Sequence, residues 1–307
     1  MNHLFERFKL MRSALLKAAF LDDYIDGAIR YNLFKQQLLS SMMHSGEIGV
    51  STCHTSENEI VVSLTTHGSR IQTVCFAVES VFFQTNKPDR VVLYLNRDEF
   101  SSADLPLLLR RQMDRGLEIR YVKDIGPHTK LLPALKEFPE AVIITVDDDY
   151  MYPFDMVERL VASHRKYPAA VCCNHSRELK FDTPSKLAAY DTFPMCFPKE
   201  NTLSLNLLAE GFGGILYPPH SLSDTVFDER LIAELSPHAD DLWFKAMELL
   251  NGTPVVQLAR NRYWFRTMLS EECVQESGLK NYNNGKKGND IQLQALFSFF
   301  DLFRTIL

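Results

Sequence analysis

The amino-acid sequence predicts an α/β fold, a doubly wound and mostly parallel central sheet flanked by helices, with helical extensions at both ends. Three observations lead there. From about residue 60, short apolar runs of the kind that fill buried parallel strands alternate with segments of helical periodicity. Turn residues punctuate the alternation at Asn86-Lys87-Pro88 and at Gly116. At 307 residues and 46% hydrophobic, the chain can bury one large core or two small ones, which excludes disorder and low-complexity scaffolds.

Taken in order, Leu4, Phe8, Met11 and Leu15 recur at helical steps with Arg7, Lys9, Arg12 and Lys17 between them. This is a basic amphipathic helix, and its charges interrupt the apolar run that a secretory signal needs. It is read as docked on the main domain, with an anionic membrane face as the alternative. Helical character continues through Leu38, Leu39 and Met43 and ends in a polar, turn-rich stretch, giving a helical extension over residues 1–55. Next come a first strand at residues 60–64, a helix bearing Ile71, Val74, Cys75, Val78, Val81 and Phe82, and a second strand at residues 90–95. That is a βαβ unit. The rhythm repeats as a helix at 105–115, a strand at 118–122, a helix at 131–138, a strand at 141–146 and a helix at 155–167. A main domain over residues 56–258 follows, and residues 259–307 form a basic, aromatic loop and a C-terminal helix. Leu296, Phe297, Phe300, Phe303 and Ile306 give that helix an apolar face, expected to pack on the N-terminal helices, with dimerisation or membrane contact second.

Charge and cysteine usage narrow the function classes. Lys plus Arg total 33 against 39 Asp plus Glu, a net charge of −6 and the wrong global sign for a nucleic-acid binder. Six cysteines with no Cys-x-x-Cys spacing suit a reducing compartment, so a cytoplasmic location is expected, with peripheral contact at the inner membrane face through either terminal helix as a variant. No run of about 18–20 apolar residues is present to span a bilayer.

In such sheets ligands bind outside the carboxyl ends of strands. There the sequence places Asp147-Asp148-Asp149. Three adjacent carboxylates repel one another and need a cation or strong donors, and hard oxygen ligands suit Mg²⁺ or Mn²⁺ shared with a diphosphate. In an extended segment Asp147 and Asp149 would face one side and Asp148 the other. The competing reading is an acidic turn capping the helix that starts near Asp155.

Residues 143–153 (Ile-Ile-Thr-Val-Asp-Asp-Asp-Tyr-Met-Tyr-Pro), with 126–135 before them, resemble the nucleotide-sugar core of bacterial GT-A-fold, family-2-like glycosyltransferases with an Asp-x-Asp motif. The resemblance extends to residues 62–70, to Gln84-Thr85 with Lys87-Pro88, to 211–219, and to 239–247 with Asn251-Gly252, covering roughly residues 60–258. It implies a GT-A-like, Rossmann-like sheet and a hexosyltransferase. Thr65, Thr66 and Arg70 would hold the donor's nucleoside or phosphate, though His67-Gly68 departs from many relatives. Lys130 would meet the diphosphate, Asp147 and Asp148 the ribose, metal or donor sugar, and Asp149 with Asp147 an Mn²⁺ or Mg²⁺ ion. Gly213 and Gly214 would lie under the donor sugar. Asp241, or Asp240, would deprotonate the acceptor hydroxyl and so invert the anomeric centre. Against that, Asp240 could be a plain N-cap.

The implied activity is metal-dependent transfer of a sugar, from UDP above other nucleotides, to a hydroxyl of a cell-surface glycan or lipid-linked glycan. The alternatives are a sugar nucleotidyltransferase, weakened by the lack of a basic glycine-rich loop after the first strand, and a non-catalytic nucleotide-sugar or glycan-binding module. His128, His220 and His238 are weak candidates, and Trp243 is read as packing. Residues 174–206 are expected to form an acceptor-side insertion or lid. The basic residues between Arg260 and Lys287, interleaved with Tyr263, Trp264 and Phe265, either close over the diphosphate, meet an anionic lipid-linked acceptor or form a solvated loop.

Overall fold

The computed structural model describes residues 25–53, 58–260 and 288–306. A first helix, α1 (residues 25–44), leads into alternating strands and helices: β1 (Ile60–Thr65), α2 (Val74–Phe82), β2 (Arg90–Asn96), α3 (Leu107–Met113), β3 (Leu117–Val122), α4 (Leu132–Glu137), β4 (Val142–Thr145), α5 (Met156–Lys166) and β5 (Val171–Cys173). Short strands follow: β6 (Ser176–Glu178), β7 (Phe181–Thr183), β8 (Lys186–Leu187), β9 (Thr202–Ser204), β10 (Leu207–Ala209) and β11 (Ile215–Tyr217). The described chain closes with α6 (Glu229–Leu235), α7 (Asp240–Asn251), β12 (Val255–Gln257), α8 (Gly288–Phe299) and α9 (Phe303–Ile306).

The central sheet has eight strands in the order β3-β2-β1-β4-β11-β5-β12-β9, with β9 and β11 antiparallel to their neighbours and the other pairings parallel. The expected mostly parallel α/β sheet is therefore present. Its strands are continuous apolar runs because both faces are covered. Alternate residues supply the two faces. Val61, Val92, Tyr94 and Ile143 pack with α4, α6, α7 and α8, whereas Val62, Leu64, Leu93 and Ile144 pack with α2, α3 and α5.

The sequence-predicted strands agree with the observed ones to within a residue or two, but the helix expected from Ile71 is broken. A 3₁₀ turn, Gly68–Gln72, comes first, and α2 starts only at Val74. The C-terminal helices do pack on the core, although not on α1, the described part of the N-terminal extension. Leu293, Leu296 and Phe297 of α8 are buried with α6 and α7, while Leu38 and Met42 of α1 join the opposite, α2-side layer. The sheet separates the two. Arg111 fixes the end of α1 by donating to the carbonyls of Met42 and Met43.

Residues 174–206 contain the β7–β8 hairpin and β6, which pairs with β10, and they end in β9 on the sheet edge. The basic amphipathic stretch before residue 25 and the basic, aromatic stretch 261–287 lie outside the described residues. No helix among those described is long and apolar enough to cross a membrane.

Because β11 runs backwards between β4 and β5, its first residue, Ile215, pairs with Thr145 at the carboxyl end of β4. The glycine-rich turn before it therefore arrives beside the acidic triplet. This single reversal assembles the site.

Candidate functional site

A cleft of about 490 Å³ opens at the carboxyl ends of β1 and β4, lined by Thr65, Thr66, Arg70, Lys130, Asp147, Asp148, Asp149 and Asp240. The chain turns at Asp148-Asp149 instead of staying extended, so the predicted two-sided arrangement does not hold and all three carboxylates line the same cleft. Nor does the triplet cap α5, whose N-cap residue is Asp155. Asp148 is the most enclosed: it accepts from Thr66 Oγ1 at 2.5 Å and from Arg70 Nη1 at 2.7 Å. Arg70 Nη2 reaches Asp149 at 3.5 Å. Burial opposes the Arg70 charge, but Asp148 and Asp149 outweigh it and raise its pKa. Burial, reinforced by Asp147 and Asp148, pushes the Asp149 carboxyl up to about 7. Thr65, by contrast, has committed its hydroxyl to the Tyr94 carbonyl at 2.9 Å.

Lys130 is buried on the 3₁₀ turn before α4, and Ser63 Oγ donates to its carbonyl at 2.5 Å. Its ammonium lies 2.7 Å from Asp147 Oδ1 and 2.9 Å from Asp240 Oδ2. Burial disfavours that charge, yet Asp147, Asp240 and Asp241 outweigh burial and hold the lysine protonated. Lys130 thus bridges the triplet to α7 and does not extend freely toward a phosphate. The N-cap reading of Asp240 fails: Ala239 is the N-cap residue, and Asp240 sits in the first turn facing Lys130.

Asp241 accepts from the Gly211 amide through Oδ2 at 3.1 Å, and its Oδ1 is buried with no hydrogen-bond partner among the described residues. Burial, then Asp240, raises its pKa well above the usual carboxylate range. Gly211 lets the turn approach this closely, since a Cβ there would lie 2.8 Å from Lys130 Nζ and 3.0 Å from Asp241 Oδ1 and displace those side-chain ends. The expected contacts, Gly213 and Gly214, face elsewhere. A Cβ on Gly213 would strike the His175 ring, and Gly214, at φ +83°, turns the chain against Met156. The right loop is present, but a different glycine meets the cluster.

The remaining candidates differ in burial and place. His128 is buried, with Nδ1 3.2 Å from the Ile125 carbonyl, and burial lowers its pKa to about 4. His220 is exposed beside Glu140, whereas His238 lines the cleft and donates its amide to Gln292. Trp243 is fully buried, with Nε1 donating to the Val226 carbonyl, as the packing reading requires. Gln84 ties α2 to the segment after the triplet through Pro153 and Val157.

Sequence reasoning missed Asp124 at the cleft wall, the buried Tyr152 hydroxyl that accepts from the Asp147 amide at 2.7 Å, and Glu210 beside Gly211. Tyr152 had a signal in its place just after the triplet. Glu210 had none.

Among the described residues no group of three or more His, Cys, Asp or Glu is arranged as a metal cage. Within the triplet, Lys130 engages Asp147 through Oδ1, and Arg70 Nη2 reaches Asp149 Oδ2 only at 3.5 Å, so these are the two carboxylates with capacity left for a further donor or a hard cation.

No protein-family model matches the sequence. No curated protein matches it either. Among solved structures the chain is similar to the crystal structure of 4-diphosphocytidyl-2C-methyl-D-erythritol synthase, with a TM-score of 0.44 and 9% identity over 71% of this chain and 96% of that one.

Proposed function

We propose that the protein is a metal-dependent transferase acting on a nucleotide-diphosphate sugar, UDP-linked before GDP- or CDP-linked, and moving the sugar to a hydroxyl of a glycan or lipid-linked glycan. One observation carries the reading: four carboxylates (Asp147, Asp148, Asp149 and Asp240) gather around only two cations, Arg70 and Lys130. Such a cluster is short of positive charge by about the amount a divalent cation supplies. Mn²⁺ or Mg²⁺ on Asp149 and Asp147 would neutralise the charge that grows on a departing diphosphate.

The chain's own residues divide the remaining work. Thr66 and Arg70 orient Asp148 at the nucleoside side of the cleft. Lys130 holds Asp147 and Asp240 in register. Asp241, once ionised and with one oxygen held by the Gly211 amide, takes the proton from the acceptor hydroxyl as that hydroxyl oxygen attacks the anomeric carbon opposite the diphosphate. The anomeric centre inverts. The loop after β1, Thr65 to Arg70, has only one glycine and spends its arginine on Asp148 and Asp149, which weighs against nucleotidyl transfer from a nucleoside triphosphate.

A two-arm product assay tests the choice. With UDP-sugars and simple glycosides the protein should release UDP and form a disaccharide in the presence of Mn²⁺. Release of pyrophosphate from UTP or CTP with a sugar or polyol phosphate, and no UDP in the first arm, would establish the nucleotidyltransferase reading in its place. Nucleotide-sugar binding without turnover in either arm would leave a binding module.

A further inference from the structure

Helix α1 buries only one of its sides. Leu38 and Met42 are fully buried there, and Leu38 packs on Met151, two residues after Asp149, with Tyr31 and Phe34 beside it. Ile25, Ile29 and Leu33 follow one another at four-residue steps on the side turned away from Leu38, and they are 46%, 53% and 67% exposed. No described residue covers this aliphatic stripe. Lys35 Nζ sits 5.4 Å from the Phe76 ring near the start of α2, and Arg111 holds the carbonyls of Met42 and Met43 at the other end. Ile25 therefore lies about 15 Å further along the helix than the Phe76 contact. Residues 25–30 are exposed apart from the half-buried Gly27, so this end of α1 projects from the domain.

The sequence before the stripe identifies its partner. Counting back from Ile29 and Ile25 in alternating steps of three and four gives Asp22, Ala18, Leu15, Met11, Phe8 and Leu4. A 3.5-residue apolar repeat kept over roughly four heptads, with one polar residue in it, is the pattern of a coiled coil. Its charge is divided, with Arg7, Lys9, Arg12 and Lys17 in the first part and Asp22, Asp23 and Asp26 in the last. A parallel pair of such helices sets like charge against like, whereas an antiparallel pair sets basic against acidic. Two other occupants fit less well. The first 26 residues hold no glycine or proline with which to turn back onto α1, and an anionic lipid surface would meet the three aspartates that surround Ile25. We propose that the stripe of α1 docks on a second copy of this chain as an antiparallel helix pair, with Ile25 against Phe8 of the second copy and Ile29 against Leu4. Asp22 then falls opposite Met11 and beside Arg12 of the second copy, where a polar residue in the seam fixes register at a cost in stability. The contact is independent of what the cleft transfers.

Sedimentation equilibrium of the full chain from about 1 to about 100 µM tests the proposal. The wild type should dimerise within that range, and Ile29→Asp should weaken the dimer about a hundredfold, because by symmetry the charge enters two layers of the seam. Ile29 is half exposed, so the variant should keep its thermal unfolding midpoint. If it fails to fold, Ile29→Ser takes its place, with a dimer about tenfold weaker. Arg12→Asp should weaken the dimer about fivefold, and adding Asp22→Arg to the same chain should restore it, since only antiparallel pairing puts the two side by side. A monomer at every concentration, a dimer that the Ile29 variants leave unchanged, or a double variant that restores nothing overturns the proposal. Vesicles of phosphatidylglycerol and phosphatidylcholine are tested in parallel. A monomer that binds them through Ile29 overturns it as well, and gives the stripe to a lipid surface.

Discussion

The β1–β4 wall of the cleft and the β10–α7 wall buried behind it, which Gly211 brings against Lys130 and Asp241, solve the same electrostatic problem in opposite ways. On the β1–β4 wall, charged and polar side chains are matched: Asp148 has Thr66 and Arg70, and Asp147 has Lys130. On the β10–α7 wall the carboxylates of Glu210 and Asp241 each keep one buried oxygen without a partner. A matched wall is preorganised and rigid, and it suits a charged ligand that must be held in one pose. An unmatched wall stores desolvation, and it leaves a base free to act. The difference teaches where to look for donor and acceptor.

The comparison breaks most sharply at Asp149. Asp149→Ala should lower kcat/KM about 10³-fold and abolish metal-dependent nucleotide binding, since in the proposed function Asp149 is the principal cation ligand. Retained metal-dependent binding in that variant would show that the triplet is not the cation site. Asp241→Asn attacks the other wall and should behave differently. We expect kcat to fall about 10²- to 10³-fold while UDP affinity, read by titration, stays within about twofold. Equal losses of both would merge the two walls into one function.

Gly211 joins the walls. Gly211→Ala puts a carbon 2.8 Å from Lys130 Nζ, so the lysine end must leave its place between Asp147 and Asp240 or the turn must shift. The expected cost is about 1–3 kcal/mol of stability by chemical denaturation, with roughly tenfold slower turnover. Ala at Gly213 or Gly214 should reduce stability through His175 and Met156, with nucleotide affinity unaltered.

The smallest effect concerns pH, and it compares the histidine behind each wall. Burial lowers His128, which packs edge-on to Phe244, and His175, which packs on Phe212, to about 4 from 6.5. The unfolded chain therefore binds more protons between those values, so stability is full above about pH 6.5 and falls as pH drops toward 4. Each histidine contributes up to about 3 kcal/mol to that loss. His128→Asn should flatten the acid limb of a pH-dependent denaturation series, and an unchanged slope would mean that His128 is not kept neutral.

The matched wall was legible in the sequence, and the unmatched wall mostly was not. Thr66, Arg70, Asp147, Asp148 and Asp149 sit at the ends of apolar strands, where strand periodicity and chain order suffice to bring them together. Local spacing misjudged even this wall where a turn replaced extended chain, which put Asp148 beside its neighbours. Lys130 was found as a charge near the site but not as a bridge, because its partner Asp240 is more than a hundred residues away and the sequence offered that aspartate as a base or a helix cap, not as an ion-pair partner. Glu210 and Gly211 depend on β11 reversing between β4 and β5 and on β10 ending against α7. No periodicity encodes that meeting, so the sequence singles out the glycine-rich loop but not Gly211 as the glycine that lies against Lys130 and Asp241.

The central claim is that the acidic triplet holds a nucleotide diphosphate through a divalent cation. Isothermal titration of the full chain with UDP, GDP and CDP, each with Mn²⁺ and again with excess chelator, tests it most directly. The account predicts binding of one nucleotide, UDP first, that requires the metal and disappears in Asp149→Ala. Binding that survives chelation, or no binding of any of the nucleotides, would contradict it.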